Sequence, residues 1–211
     1  MRINHALIVA NGEPPARERL LEAVSRADFV LAADGGANIL LAAGVTPNAV
    51  LGDFDSLAVP LPDTVEQVQA PDQNHTDLDK SVAYLVELGA LGITMTAVTG
   101  GRLDHTFGAL AVLAKYGRLM PLAILDDFAT ALLVNGQISL STSPGQLISL
   151  LPLGAVDDVT TTGLKWNLTH ESLGPGLRDG TSNVANETEV TICVGAGDLV
   201  AYIHHLTPNA S

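Results

Sequence analysis

Short apolar runs and amphipathic stretches take turns along the first part of the chain. The apolar runs end near Ala10, Asp34, Leu51 and Thr99, and a further one, PLAILDD, ends at Asp126. Between them, ARERLLEAVSRA, TDLDKSVAYLVELGA and LDHTFGALAVLAKYG carry apolar residues at three- and four-residue spacing, the period of a helix buried along one side. Alternation of strand and helix predicts right-handed crossovers and a mostly parallel sheet covered on both faces. After Phe128 the period changes. ATALLVNG, QISLSTSPG, QLISLLPLG, DDVTTTGLKWNL and EVTICVGAGDLVAYIHHL follow one another, with NG, SPG, LG and GPG turn signals at short intervals and no helical pattern. That predicts an antiparallel sandwich or barrel. The change of pattern sets a boundary near residues 127 to 130, dividing the chain into an α/β domain over 1–127 and an all-β domain over 128–211.

Composition narrows the function classes. With 47% hydrophobic and 16% charged residues among 211, the chain has the means to bury a core, so disorder is excluded. Its 23 acidic residues against 10 basic ones give a net charge of -13, which argues against non-specific binding to nucleic acid. The opening MRINHALIVANGEPP has an apolar run too short for a signal peptide, and no stretch approaches the roughly 20 apolar residues of a membrane span. A cytoplasmic protein without a membrane partner is expected. The single cysteine, Cys193, forms no intramolecular disulfide and reads as packing within a strand.

The candidate chemistry falls where apolar runs stop. In an open parallel sheet, ligands bind beyond the carboxyl ends of the strands. One run leads into Asp34-Gly35-Gly36-Ala37-Asn38 and the next into Gly52-Asp53-Phe54-Asp55-Ser56. If that second segment is extended, Asp53 and Asp55 lie on one face, and carboxylates so close together suit a hard cation such as Mg2+. An Asx-rich turn is the competing explanation. A third cluster, Asp72 to Lys80, contains Gln73, His75, Asp77 and Asp79. Thr76 or Asp77 would cap the helix there, and Lys80 offers a point charge for a phosphate. The fourth, Thr99-Gly100-Gly101-Arg102-Leu103-Asp104-His105, joins a strand to a helix. Its paired glycines let backbone amides approach an anion, and Arg102 offers a two-pronged contact. A tight turn with Asp104 as N-cap explains the same residues, and His105 reads either as a base or as a packing residue. The patterns GxxxxGK[ST], HRD and GxSxG are absent, which removes P-loop, protein-kinase and serine-hydrolase readings. A chain with so few basic residues that handles polyphosphate needs a cation held by its own carboxylates.

DGGAN, LGDFDS, DQNHTDLDK and TGGRLDH, in this order and preceded by ANGEPP, resemble the thiamin pyrophosphokinase family, densely to about residue 110 and sparsely afterwards. The resemblance implies a three-layer α/β/α catalytic domain, a C-terminal β-sandwich, and a homodimer whose active sites use both subunits. It implies Mg2+ as cofactor and transfer of the diphosphoryl group of ATP to thiamine. By motif, Asp34, Asp53, Asp55 and Asp77 would surround the metal, with Asp53, Asp55, Asp77 and Arg102 catalytic. Asp34, Lys80, Gly100, Gly101, Arg102 and Asp104 would lie on the ATP side. Gln73, Trp166 and the Thr181-Ser182-Asn183 segment would bind thiamine. Trp166 is the one tryptophan, and a cationic thiazolium or flat pyrimidine suits its ring, although a lone tryptophan in a β-domain also serves as core. Asp126 and Asp127 would either reach the nucleotide or form a boundary turn. Two other functions fit the same motifs: another Mg2+-dependent phosphoryl- or nucleotidyl-transferase, and a non-catalytic nucleotide or thiamine-diphosphate sensor.

Overall fold

The structure, a computed structural model, describes residues 2–58, 60–72, 74–178 and 180–206. The chain forms two compact units, Met1–Asp127 and Phe128–Ser211. In the first, the elements run β1 (Ala6–Val9), α1 (Arg17–Arg26), β2 (Phe29–Ala33), α2 (Gly36–Ala42), β3 (Ala49–Gly52), β4 (Glu66–Gln69), α3 (Asp77–Glu87), β5 (Ile93–Thr96), α4 (Leu103–Gly117) and β6 (Leu122–Leu125). The strands lie in the order β6-β5-β1-β2-β3-β4, and every pairing among them is parallel.

Burial explains why these strands read as unbroken apolar runs. All residues of β1 and β2 are buried, because both faces of the sheet are covered. On one face Leu7, Val9, Val30, Ala32 and Val50 pack with Leu20 of α1 and with Ala37 and Leu40 of α2. Helix α3 packs on β1, β2 and β3 and also meets α4, which lies on β6. Helix α3 begins as expected from its first turn: Thr76 Oγ1 accepts from the Asp79 N–H at 3.2 Å. One strand escaped the apolar pattern. Strand β4 is EQVQ with mostly exposed side chains, a polar edge strand that periodicity alone does not reveal.

The second unit contains β7 (Ala129–Val134), β8 (Gln137–Ser141), β9 (Leu147–Pro152), β10 (Val156–Thr162), β11 (Glu171–Leu173), β12 (Gly180–Val184), β13 (Glu189–Cys193) and β14 (Leu199–His204). Here β12-β9-β14-β7 and β11-β10-β13-β8 lie in two antiparallel arrays. Ile148, Leu150 and Leu199 from the first meet Val156, Val190 and Ile192 from the second in one core, so the unit is a β-sandwich. Alternating burial along β13 and β8 matches a one-sided sheet. Cys193 is half-buried at the end of β13. Strands β11 and β12 are short and polar and were not anticipated.

Gly163 closes this sandwich beyond β10. Its carbonyl accepts from the Asn186 N–H at 2.8 Å, its φ is +79°, and a Cβ there would lie 2.2 Å from the Glu189 carbonyl oxygen. Gly136, with φ +70°, faces open space instead. Gly136→Ala should therefore cost only the left-handed backbone strain, about 1–2 kcal/mol. Gly163→Ala, which adds a backbone collision, should cost about 3 kcal/mol or more. Urea unfolding of the two variants side by side checks this; equal losses would mean that the Glu189 contact relaxes freely.

Candidate active site

The chain runs from β1 outward to β2, β3 and β4, and then returns to the other side of β1 for β5 and β6. This reversal falls between β1 and β5, and open parallel sheets take their ligands beyond the carboxyl ends of the strands at such a point. The segments leaving those two strands are stitched together. The Gly12 N–H donates to the Ala97 carbonyl at 2.6 Å and the Glu13 N–H to the Thr99 carbonyl at 3.0 Å. The start of α2 presses on the same place: a Cβ at Gly36 would lie 1.9 Å from the Val9 carbonyl oxygen, so only bare backbone fits. Three non-glycine residues, Asp34, Phe54 and Ala97, hold left-handed conformations with φ of 45°, 67° and 54°, just past β2, β3 and β5. Each costs about 1–3 kcal/mol, strain that surrounding packing must sustain.

Asp34, Asp53 and Asp55 come together here. Each offers a carboxylate oxygen, and these atoms all lie within 4.8 Å of one another. Of the two routes open from the sequence, an extended segment or an Asx-rich turn, the chain takes the turn. Strand β3 stops at Gly52, and Asp53-Phe54-Asp55 forms a turn in which the Asp55 N–H donates to Asp53 Oδ1 at 3.3 Å. Left-handed Phe54 packs against the core beneath α1 and α2, and the two carboxylates flank it. Asp53 and Asp55 are exposed, whereas Asp34 Oδ1 is buried and has no hydrogen-bond donor. A buried anionic oxygen without a donor, next to two more carboxylates, is a set of hard ligands suited to a divalent cation such as Mg2+.

Asp77 lies outside that group. Its Oδ1 is 2.8 Å from Lys80 Nζ, which also donates to the carbonyls of Ala70 (2.8 Å) and Asp72 (2.9 Å). Lys80 thus clasps the loop before α3 to the helix. In that loop His75 Nδ1 meets Asp72 Oδ2 at 2.5 Å, and this bond, more than the Asn74 N–H, holds the Asp72 carboxyl down at about 2. Gln73 lies outside the described residues. At the fourth cluster, Gly100 and Gly101 take φ of +77° and +61° and turn the chain into α4. Arg102, not Asp104, occupies the N-cap position, and no side chain caps the helix. Asp104 sits in the first turn and accepts from Arg102 at 3.1 and 2.5 Å. His105 is exposed, which removes the packing role. Asp127 Oδ1 accepts from the Ala16 N–H at 2.6 Å, at the start of α1, where no side chain of the helix's own acts as cap. Asp127 is therefore a structural cap.

In the second unit, Trp166, Arg178, Thr181 and Asn183 line a pocket floored by Leu150 and Leu168. Trp166 is 51% exposed, which removes the core role. The ammonium of Lys165 lies 4.5 Å from its ring centroid. Asn183 is 6% exposed and works on the backbone: its Oδ1 accepts from the Trp166 N–H and its Nδ2 donates to the Trp166 carbonyl at 2.8 Å. It fixes the tryptophan rather than extending into solvent. Ser182 adopts φ 58° where the β12 to β9 register shifts, and its N–H donates to Ser149 Oγ. Thr181 beside it is exposed. Neither Arg178 nor Lys165 was singled out from the sequence, in which nothing pairs them with Trp166 beyond adjacency in the chain for Lys165.

Comparison with known proteins supplies an independent line. The family model for the thiamin pyrophosphokinase catalytic domain matches residues 20–123, and that for the thiamin pyrophosphokinase vitamin B1 binding domain matches 136–198. Thiamine pyrophosphokinase 1 of Arabidopsis thaliana is 30% identical, over 89% of this chain and 82% of its own length. Thiamin pyrophosphokinase 1 of Caenorhabditis elegans is 29% identical, over 85% and 81%. The crystal structure of thiamin pyrophosphokinase from Geobacillus thermodenitrificans superposes with a TM-score of 0.81 at 26% identity, over 96% of this chain and 98% of that one.

The Arg102–Asp104 pair makes a prediction about charge. The hydrogen bond from Arg102 holds the Asp104 carboxyl down at about 2. A depressed carboxyl contributes to stability above its unfolded value of about 3.9 and loses that contribution as pH falls toward 2. In Arg102→Ala the Asp104 carboxyl should titrate near about 3.9, as followed by NMR of its side-chain carbon. A titration still near 2 would mean that backbone groups, not the guanidinium, stabilise the anion.

Proposed function

The chain belongs to the thiamin pyrophosphokinase family, and we propose that it transfers the diphosphoryl group of ATP as a unit to thiamine, giving thiamine diphosphate and AMP. The observation that carries this reading to the atoms is the convergence of Asp34, Asp53 and Asp55 within 4.8 Å at the ligand-binding end of a parallel sheet, with a buried oxygen of Asp34 left without a donor. We assign these three as the residues that hold Mg2+, with Asp77 as the fourth acidic member of the site. When bound, the ion would neutralise charge on the diphosphoryl oxygens and hold them for in-line displacement.

The remaining work falls to the chain's own groups. In the reaction the thiamine hydroxyl oxygen bonds to the β-phosphorus while the bond from that phosphorus to the α,β-bridging oxygen breaks. The hydroxyl gives up its proton, and AMP departs with the bridging oxygen. The backbone of Gly100 and Gly101 and the guanidinium of Arg102 are suited to the phosphates, because a glycine turn allows close approach and the fork of Arg102 matches two oxygens. Asp104 holds that fork until phosphate replaces it. Lys80 adds a charge fixed in place by Asp77 and two carbonyls. In the second unit we assign the half-exposed ring of Trp166, braced by Asn183, and the adjoining Thr181 and Ser182 to thiamine; Gln73, in the first unit, carries the same assignment by its motif alone. A homodimer whose active sites draw on both subunits belongs to the same reading, as does a cytoplasmic location.

Incubation with ATP, Mg2+ and thiamine, with chromatographic separation of thiamine diphosphate, thiamine monophosphate, AMP and ADP, tests the reaction. Thiamine diphosphate with equal AMP is expected. ADP in place of AMP, or bound ATP without a thiamine product, would replace the reading with another phosphoryl transfer or with a sensor. Asp53→Asn or Asp55→Asn should lower turnover by roughly 10²-fold or more, the scale of losing a charge-stabilising group. Normal turnover at saturating Mg2+ would end their assignment as ligands. Trp166→Ala should raise the KM for thiamine and leave that for ATP nearly unchanged, since only a stacking surface is lost. Equal rises in both would point to a general disturbance instead.

A further inference from the structure

Asp53 and Asp55 are exposed residues on a loop, yet they must stand beside a third negative charge. Mutual repulsion alone would drive the loop outward, so something has to oppose it. Within the loop, the Asp55 N–H bonds to Asp53 Oδ1, and Ser56 Oγ donates to Asp55 Oδ1 at 3.0 Å. Those bonds shape the turn without fixing where it stands. Phe54 and Leu57 pack the loop against the core, and the hydrogen-bonded tie to the domain comes from Asn38 on α2. Its Nδ2 donates to the Ser56 carbonyl at 2.8 Å, and its Oδ1 accepts from the Ala58 N–H at 2.9 Å. One amide thus pairs with a carbonyl and an N–H two residues apart, as a neighbouring strand would.

The backbone of Asn38 is anchored in the turn that begins at Asp34. The Ala37 N–H donates to the Asp34 carbonyl and the Asn38 N–H to the Gly35 carbonyl, at 3.1 and 3.0 Å. The same turn is seated against the Val9 carbonyl through the bare backbone of Gly36. Asp34 and Asn38 therefore ride on one short segment. It presents the half-buried carboxylate with one residue and grips the loop bearing the exposed carboxylates with the other.

We propose that Asn38 is the positioning residue that holds the Asp53–Asp55 turn in register with Asp34, so that the three carboxylates are assembled before a cation arrives. This rests on the metal-holding role given above to those aspartates. Asparagine is required because the contact needs one donor and one acceptor on a short planar group; aspartate loses the donor, and aliphatic residues lose both. Hydrogen bonds that orient metal-holding groups are expected to matter for affinity far more than for folding.

The test compares the full-length protein with Asn38→Ala, with the near-isosteric Asn38→Leu, and with Asp53→Asn. Binding of Mn2+ without substrate is followed by electron paramagnetic resonance, amide exchange at Ala58 by NMR, and thermal unfolding by circular dichroism. The Asn38 variants should bind Mn2+ about 10-fold to 100-fold more weakly and exchange the Ala58 amide faster, with the unfolding midpoint nearly unchanged. Wild-type Mn2+ affinity in both Asn38 variants, while Asp53→Asn loses binding, would overturn the role of Asn38 and leave the aspartates standing. Weaker binding accompanied by a matching fall in the unfolding midpoint would also overturn it, by making Asn38 merely structural. Failure of the wild-type protein to bind Mn2+ would instead remove the metal site, and the positioning role with it.

Discussion

Three carboxylates brought within 4.8 Å of one another are the constraint around which the first unit is organised. Two unit charges roughly 4 Å apart repel by about 1 kcal/mol in water and about 4 kcal/mol at an effective dielectric of 20. Solvent around exposed Asp53 and Asp55 pulls their repulsion toward the lower figure, but Asp34 Oδ1 is buried and receives no donor. The fold holds this arrangement with backbone and packing rather than with compensating cations. Left-handed Asp34 and Phe54, the half-buried phenyl ring of Phe54, and the seat of α2 on β1 all fix where the carboxylates stand. Strain and like charge are concentrated at the ends of the same strands, which is where a ligand-bearing site spends stability gained in the core.

The basic residues show why the chain's own cations do not offset this charge. Arg102 is paired with Asp104, Lys80 with Asp77, Lys115 with Asp79 and Arg178 with Glu171. These pairs are not equivalent. The Arg102 and Asp104 side chains are 70% and 64% exposed, and such a pair contributes little to stability, so a phosphate can take the place of Asp104 at small cost. The Lys80 side chain is 15% exposed and also serves two carbonyls, so moving it would strip acceptors of their donor. Arg102 is thus the mobile phosphate ligand of the proposed site and Lys80 the fixed one.

Much of this was legible in the sequence. Alternation of strand and helix patterns, followed by short β runs, yields an α/β unit and a sandwich, and the order of the four motifs yields the family. Hidden elements are those whose residues face water: β4, β11 and β12 carry little apolar pattern. The sequence left Asp53-Phe54-Asp55 open between an extended segment and an Asx-rich turn, because alternation in a short segment looks the same in a strand as in a turn held by one half-buried aromatic ring. Asn38, Asn183 and Asp127 were either overlooked or read differently, since their work is done on backbone atoms distant in the chain. No local spacing reveals that Asn183 braces Trp166 or that Asp127 caps α1.

Asn38 and Asn183 do the same job in the two units. Each uses a side-chain amide to hold the backbone of an exposed segment bearing a candidate ligand group, the acidic turn in one unit and the tryptophan in the other. Loops that must bind and release substrates cannot be buried, because their contacts have to face solvent. Regular hydrogen-bond ladders would fix them but would also flatten them into strands. An asparagine supplies one donor and one acceptor from outside the loop, giving strand-like fixation at a single point while the ligand-bearing side chains stay free to point outward. The site's precision therefore comes from amides that need not touch the substrate, and a search confined to charged and aromatic residues passes over them.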